Sequence, residues 1–326
     1  MDDLSASLHT YLNTDILKLL NEAQIITVID FMNCETKKIE KITSLALKVD
    51  NKVLKFSTHV INILKEILEI RKELLKKYSR LRSAFDCYQN ILYEFAIIPT
   101  GVEKLDLLLE GGLCTGNIYE ICGLPASGKT LFCLTLIKNV ALSSTDEIIY
   151  LDTKCDFLGI KMKQMLSSLN KEDLILTMNK IQVARVFTKN DFLGHLLTLK
   201  HSIESGSSTK LIIIDSIATL SFQSSNQNDN NSFLSYIASI LHYLAKEYNI
   251  VFVITNLITL WNDGDFKNID VMKETIACGS YWYGVPNARI SLKKERGECK
   301  ITLVKAVKFV PNINSCCIKY TDQGFV

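Results

Sequence analysis

The chain has 326 residues, of which 48% are hydrophobic and 22% are charged, with a formal net charge of +2 at pH 7. This length fits one large domain with a small one or two medium domains, and the composition is typical of a globular protein with a sizeable core. The near-zero net charge argues against a protein that coats nucleic acid along its whole surface, so any basic surface must be local.

Features that would mark an extracellular or membrane protein are absent from the sequence. The ten cysteines form no C-x-x-C pair and no Cys/His cluster at zinc-finger spacing. The N-terminus, MDDLSASLHT, does not read as a secretory signal, and no uncharged apolar run approaches the roughly 18 residues that a membrane helix needs. We therefore expect a soluble intracellular protein with reduced thiols and no membrane association.

Residues 1–78 are predicted to form a helical N-terminal domain, followed by a linker at 79–95. Thr14 can cap a first helix, and residues 57–78 carry apolar side chains at steps of three and four. Residues 37–82 hold thirteen Lys/Arg against five Asp/Glu. This basic run is either the solvated face of amphipathic helices or a contact for DNA or a partner, and in the second case Lys72, Lys76 and Lys77 would contribute.

From residue 96 to 326 the pattern changes to that of an α/β domain. Short apolar runs bounded by polar turns predict buried parallel strands. A helical pattern at 232–248 lies between the last two of these runs, and the alternation indicates a doubly wound α/β fold. The C-terminal segments ARISL, CKITLVKA and CCIKYT are predicted to extend or flank the sheet, and the polar stretch 224–231 is predicted to be a loop. The four buried runs are NIYEICG, EIIYLDT, KLIIIDS and NIVFVITN.

The stretch GLPASGKT matches the G-x-x-x-x-G-K-[ST] pattern of a phosphate-binding loop. A predicted strand enters it and a predicted helix leaves it, which is the arrangement that supports such a match. Glycines at its two ends allow the backbone to wrap closely around phosphate oxygens, with N–H groups from about Ala126 to Thr130 pointing inward. The predicted nucleotide-binding residues are Gly123, Leu124, Pro125, Ala126, Ser127, Gly128, Lys129 and Thr130.

The chemistry of this loop assigns a role to three side chains. Lys129 would reach the β- and γ-phosphates of ATP, and the Thr130 hydroxyl would ligate Mg²⁺. Asp215 ends the predicted strand LIIID and would hold the same metal ion, most simply through water. We therefore expect ATP and Mg²⁺ as cofactors.

Residues 100–130, TGVEKLDLLLEGGLCTGNIYEICGLPASGKT, closely resemble the lead-in and phosphate loop of RecA/RadA-type recombinases. Further similar segments follow in order up to PNARISLKKERGECKI, so the resemblance covers about 95–325. Pro125 and Ser127 within the loop are similar to the residues of the recombination-repair paralogues, and among these the chain length and motif sequences are most similar to those of paralogue D. The resemblance implies a RecA-like P-loop ATPase core preceded by a small all-helical domain, and a nuclear role in homologous recombination within a complex of paralogues.

Departures from the family pattern affect hydrolysis. Lys154 stands where the recombinases carry the glutamate that activates the attacking water, and a protonated lysine cannot act as that base. One interpretation is tighter ATP binding with slow hydrolysis, and the other is that Asp152 or Asp156 replaces the base. Leu257 stands where the family has a polar γ-phosphate sensor, so either the sensor is lost or Thr255 or Asn256 takes its place.

The two segments that would line DNA in the family are not basic. Residues 221–231 contain no Lys or Arg, and residues 257–280 carry four acidic residues against two lysines. Because phosphate neutralisation supplies most non-specific DNA affinity, we expect weak direct binding to single-stranded DNA. Trp261, Phe266 and Trp282 could stack on bases or belong to an ordinary loop or core.

Three functions compete at this point. The first is an ATP-holding subunit that assembles with other paralogues and assists a recombinase filament on single-stranded DNA. The second is a DNA-stimulated ATPase, and the third is a phosphoryl-transferring kinase, for which a lid with clustered arginines is not recognisable. The resemblance also implies an aromatic docking residue in the linker, for which Phe85 or Tyr88 is the candidate, although packing on its own domain is the alternative.

Overall fold

The structure is a computed structural model that describes residues 14–27, 30–31, 34, 38, 70, 84–85 and 96–326, apart from 224–226, 262–272, 296, 308–313 and 326. The chain divides into two compact units, Met1–Gln89 and Asn90–Val326. In the first unit helix α1 spans Thr14–Glu22, so the helix predicted near Thr14 is present. Most of the predicted helix at 57–78 and of the predicted linker lies outside the described residues, and the boundaries at 78 and 95 stay predictions.

The second unit is an α/β domain. Its helices are α2 (Glu103–Leu108), α3 (Lys129–Ser143), α4 (Gly159–Met165), α5 (Lys171–Asn179), α6 (Lys189–Glu204), α7 (Ile217–Ser221), α8 (Gln227–Tyr248) and α9 (Gly279–Gly284). Its strands are β1 (Ile97–Ile98), β2 (Leu113–Cys114), β3 (Ile118–Gly123), β4 (Ile148–Asp152), β5 (Ile181–Arg185), β6 (Leu211–Asp215), β7 (Val251–Trp261), β8 (Lys273–Ile276), β9 (Ala288–Glu295), β10 (Glu298–Lys305), β11 (Ser315–Thr321) and β12 (Gly324–Phe325).

The central sheet has the order β12-β11-β10-β9-β3-β7-β6-β4-β5, with β8 paired to β7. The pairs from β9 through β3, β7, β6 and β4 to β5 are parallel, whereas β10, β11 and β12 extend the sheet by antiparallel pairs. A short separate sheet pairs β1 with β2. The predicted doubly wound, RecA-like core with a largely parallel sheet is confirmed.

Strand alternation divides the core between the two faces of the sheet. Ile213 and Val253 pack with Ile137 of α3 in one cluster of buried residues. Ile212 packs with Ile237 of α8 in the other cluster. Because successive side chains of a strand point to opposite faces, runs such as LIIID bury both faces of the sheet at once, which explains why they read as continuously apolar.

Two segments predicted as loops are partly regular. Residues 227–231 form the first turns of α8 rather than a loop, and Asn230 there donates to the Ser221 hydroxyl at 2.7 Å and accepts from Lys189 Nζ at 3.0 Å. Asp229 lies in the first turn, where its charge complements the helix dipole. In the second segment, β7 continues to Trp261 and pairs with β8, so the arms of this segment form an antiparallel hairpin.

Among the described helices, none has both the length and the apolar composition that crossing a bilayer requires.

Candidate nucleotide-binding site

The phosphate loop lies between the end of β3 at Gly123 and the start of α3 at Lys129. A Cβ at Gly123 would lie 2.6 Å from the Leu292 carbonyl oxygen, so this position has no room for a side chain. Gly128 has φ of 100°, in the left-handed region that favours glycine. Both glycines of the predicted motif are therefore required by the backbone that forms the loop.

Lys129 folds back over the loop. Its side chain is buried, and Nζ donates to the carbonyl oxygens of Gly123 and Leu124, at 2.8 Å each. Burial lowers the pKa of Lys129, and the neighbouring charge of Lys154 lowers it further. The Ser127 N–H, one of the donors expected to point inward, donates to the Leu124 carbonyl oxygen at 3.2 Å. It therefore closes a turn within the loop.

Asp215, at the end of β6, is the centre of the site. Its Oδ2 accepts from the Thr130 hydroxyl at 2.7 Å and from the Tyr150 hydroxyl at 2.8 Å. Its Oδ1 accepts from Lys154 Nζ at 2.6 Å and from the Thr255 hydroxyl. Burial alone would raise the pKa of the Asp215 carboxyl, but Lys154 and the hydroxyl donors outweigh it and hold this pKa below its ordinary value.

Strand order explains why these side chains meet. β4 and β6 are parallel neighbours in which Asp152 is the register partner of Asp215. Lys154 follows β4 by two residues and therefore reaches Asp215. Tyr150 and Thr255 lie on the two strands that flank β6, and α3 packs on the face from which Thr130 reaches the same carboxylate.

The two carboxylates proposed as substitute bases have different surroundings. Asp152 is 1% exposed, and its oxygens accept the backbone N–H groups of Lys154, Asp156 and Phe157 at 3.1, 3.2 and 2.9 Å. This carboxylate therefore shapes the loop after β4. Asp156 is exposed and lines the cleft beside the phosphate loop. The geometry favours Asp156 over Asp152 as the carboxylate that could face a bound nucleotide.

The candidate sensors are both fully buried but belong to different networks. Thr255 donates to Asp215, whereas Asn256 donates to Glu120 Oε1 at 2.7 Å and to the Ala277 carbonyl oxygen at 3.0 Å. Asn256 and Leu257 also line the cleft. Asn256 is thus the candidate that joins the cleft to the interior of the sheet.

Glu120, which accepts from Asn256, belongs to a buried ion pair. Glu120 and Arg289 are register partners on β3 and β9, both fully buried, and Arg289 Nε donates to Glu120 Oε2. Trp282 Nε1 donates to Glu120 Oε1 at 2.9 Å. Sequence reasoning missed this cluster, although a charged residue inside an otherwise apolar strand, as in NIYEICG, was the available signal.

Two of the remaining predicted side chains, Trp282 and Phe85, lie within the part of the chain that the structure describes. Trp282 is fully buried, which excludes base stacking and leaves its structural role. Phe85 is 65% exposed. Tyr88 and Phe266 lie outside the described residues, as does the side chain of Trp261.

The cleft that results has a volume of about 670 Å³ and is open to solvent. Its charged lining side chains are Lys129, Lys154 and Asp156. The backbone loop and the two lysines fit phosphate groups. The Thr130 hydroxyl fits Mg²⁺, which prefers oxygen ligands, but the Asp215 carboxylate already accepts four donors, one of them an ammonium group. The arrangement suits a nucleoside triphosphate better than it suits a metal ion at Asp215.

The chain is similar to known proteins over most of its second unit. A family model described as Rad51 matches residues 93–326. The chain is 31% identical over 222 residues to the DNA repair protein RAD51 homolog 4 of Mus musculus, covering 65% of each chain. It is 32% identical over 181 residues to the DNA repair protein RAD51 homolog 2 of Homo sapiens, covering 50% of this chain and 47% of that protein.

An archaeal relative gives a similar match. The DNA repair and recombination protein RadA of Metallosphaera sedula is 28% identical over 225 residues, covering 66% of this chain and 67% of that protein. The chain thus spans about two thirds of the mouse and archaeal relatives and about half of the human one. With the whole phosphate-loop domain inside the matched range, this chain belongs to the Rad51 family.

Proposed function

We propose that this protein is an ATP-binding recombinase paralogue that acts in DNA repair by homologous recombination in the nucleus. It works as a subunit of a hetero-oligomer with other paralogues and assists assembly of a recombinase filament on single-stranded DNA. Its own ATP hydrolysis is weak or absent, so that ATP holds an interface rather than serving as fuel. Within the family we assign it to the paralogue D group.

One observation carries this proposal. The phosphate loop is complete, and the residue beside it at the position resembling that of the family's activating glutamate is Lys154. Lys154 Nζ lies 2.6 Å from Asp215 Oδ1. A protonated amine paired with a carboxylate has no lone pair with which to deprotonate water. Nucleotide binding is thereby retained while the chemical step loses its base.

The cofactor would be ATP, with its phosphates on the residues of the loop from Gly123 to Thr130. Mg²⁺ accompanying it would be held by the Thr130 hydroxyl and would neutralise phosphate charge when bound. Asp215, expected to hold the same ion through water, would do so only after releasing one of the four donors that it already accepts. Thr255 and Asn256 remain the candidate sensors, because one contacts Asp215 and the other lines the cleft.

The test is a pair of measurements on the purified full chain: ATP affinity, and single-turnover hydrolysis with and without single-stranded DNA. We expect micromolar or tighter binding with negligible hydrolysis under both conditions. DNA-stimulated phosphate release that disappears in Lys129→Ala would contradict the proposal and establish an ATPase.

An active DNA-stimulated ATPase that binds single-stranded DNA directly is the second candidate, and the position of Asp156 on the cleft favours it. If this candidate is correct, Asp156→Asn abolishes turnover and Lys154→Ala leaves it near the wild-type rate. Asp152→Asn is a less specific test, because this carboxylate holds three backbone N–H groups.

Partner binding is tested at the linker. Phe85 is an exposed aromatic side chain, which suits an anchor that docks on a neighbouring subunit. We expect Phe85→Glu to abolish co-purification with partner paralogues, with Tyr88→Glu as the parallel variant. Complexes that survive both changes would remove these residues from the interface.

A further inference from the structure

The Asp215 carboxylate has no vacant acceptor position. A carboxylate offers about four lone-pair sites, two on each oxygen. Here Thr130 and Tyr150 donate to Oδ2, and Lys154 and Thr255 donate to Oδ1. A divalent cation, or a water molecule that it carries, can reach this carboxylate only if one of the four donors leaves.

The four donors differ in how readily they could leave. Tyr150 and Thr255 are fully buried on the strands that flank β6. The Lys154 side chain is 27% exposed and follows β4 on a loop. Thr130 also lines the cleft, but its hydroxyl can keep donating to Asp215 while its oxygen lone pairs ligate a metal ion. Lys154 is therefore the donor that a metal ion would displace, and displacing it exchanges one cation at Asp215 for another.

The Lys154 ammonium stands where the cation is needed. Lys154 lines the same cleft as Lys129 and Thr130, so its charge faces the space in which phosphates would lie. Among the described residues of the lining, Asp156 is the acidic one, and its side chain is exposed. A fixed ammonium group in a partly desolvated cleft can neutralise phosphate charge without a metal ion.

We propose that the Lys154 ammonium takes the place of the divalent cation at Asp215, so that this protein binds nucleoside triphosphates almost as tightly without Mg²⁺ as with it. This inference rests on the proposed nucleotide binding and adds that the nucleotide can bind as the metal-free anion. The cleft accepts the metal-free triphosphate, whereas a P-loop with a free acidic residue needs the magnesium complex. Lys154 acts as a specificity-determining residue for that form.

The experiment measures the Kd of ATP for the full chain by calorimetry, in excess Mg²⁺ and in EDTA. The variants are Lys154→Met, which keeps the length of the side chain and removes the charge, and Lys161→Met as a matched control. Lys161 is also partly exposed and paired with a carboxylate, that of Asp322 at 3.7 Å, and it is not among the residues that line the cleft. Circular dichroism of each variant checks that it is folded.

We expect the Kd of the wild-type protein to change by less than about threefold on removing Mg²⁺, and that of Lys161→Met likewise. The ratio of the Kd in EDTA to the Kd in excess Mg²⁺ should be at least about tenfold larger for Lys154→Met than for the wild type. A wild-type protein that loses more than about threefold in EDTA overturns the inference even if Lys154→Met does not fold.

Each remaining result also decides the question. A folded Lys154→Met protein whose ratio equals that of the wild type overturns the inference, because the lysine is then not the cause. Absence of ATP binding by the wild type in both buffers overturns the proposed function and this inference together. Binding that depends strongly on Mg²⁺ overturns this inference alone.

Discussion

At the scale of single residues, the position of Lys129 decides whether the loop can hold phosphate. Its ammonium group donates to two loop carbonyl oxygens, at 2.8 Å each. Burial makes the charge costly to hold there and the nearby charge of Lys154 repels it, which is why the pKa of Lys129 is lowered. A phosphate group would offer this lysine a charged partner in place of neutral carbonyls.

We therefore predict that Lys129→Ala weakens ATP binding by about tenfold to about a hundredfold, because a hydrogen bond to a charged group contributes about 1.5–3 kcal/mol. Calorimetry on the full chain measures this. Lys180→Ala is the matched control. Lys180 also donates to two carbonyl oxygens, at 2.9 and 2.8 Å, but these belong to Ala141 and Ser144 at the end of α3 that is remote from the phosphate loop. Equal ATP affinity in Lys129→Ala and wild type would be incompatible with this role.

At the scale of elements, the Glu120–Arg289 pair joins β3 to β9, and Trp282 joins α9 to the same carboxylate. All three side chains are fully buried. Charges removed from water in this way are retained only when they are paired and hydrogen-bonded. The cluster therefore holds β3, which leads to the phosphate loop, against β9, from which the antiparallel pairs extend the sheet.

Glu120→Ala should lower the free energy of unfolding by about 3–5 kcal/mol, because it leaves the Arg289 charge buried without its partner. The double variant Glu120→Met with Arg289→Met should recover much of this loss. Urea unfolding of the three proteins measures both effects. Glu295→Ala on β9, the strand of Arg289, is the control, since its pair with Lys293 is exposed and should contribute less than about 1 kcal/mol. A loss for Glu120→Ala no larger than that of the control would show that the pair is not structural.

At the scale of the whole molecule, pH dependence of stability arises from groups whose protonation changes on folding. Burial lowers the pKa of His242 on α8, and the charge of Lys246 lowers it further. The unfolded chain therefore takes up a proton at this residue at higher pH than the folded chain does. The contribution of His242 to stability is present above its unfolded pKa of about 6.5 and is lost as the pH falls through the folded pKa.

The free energy of unfolding should accordingly decrease between about pH 7.5 and about pH 5.5, and His242→Gln should show a smaller decrease. Urea unfolding at several pH values measures the slope. His201→Gln serves as the control, because His201 is exposed near the end of α6. Identical slopes in wild type and His242→Gln would refute the assignment.

The distribution of charge along the chain leads to a prediction about DNA. Residues 37–82 carry thirteen basic residues, whereas residues 257–280 are net acidic. Lys72, Lys76 and Lys77 lie outside the described residues, so their DNA contact remains a hypothesis from the sequence. Reversing all three to glutamate should weaken single-strand binding and lower its salt dependence, by up to about 2 in the logarithmic slope.

Fluorescence anisotropy at several salt concentrations measures this effect on the full chain. The control reverses Lys163, Lys171 and Lys293, three exposed lysines of the second unit. Equal losses in the two triple variants would mean that the effect is one of net charge alone, and the N-terminal basic run would then have no specific part in binding.

The sequence alone determined those features that depend on neighbouring residues. Largely apolar runs of five or six residues predicted β3, β4 and β6, because strands buried on both faces show no alternation of polar and apolar residues. The spacing of Gly123 and Gly128 predicted the phosphate loop, because its backbone needs residues without a Cβ there. The same local reasoning was wrong for 227–231, where side-chain contacts to Lys189 and Ser221 extend α8 through a polar stretch.

Only the tertiary structure decided what surrounds Asp215. Thr130, Tyr150, Lys154 and Thr255 come from segments separated by up to 125 residues, and they converge because β6 lies between β4 and β7 while α3 covers that face. Glu120 and Arg289 are 169 residues apart and pair because β3 lies beside β9. Strand order is a non-local property, so the sequence could place Lys154 after a strand but could not show that its charge occupies the carboxylate expected to bind a metal ion.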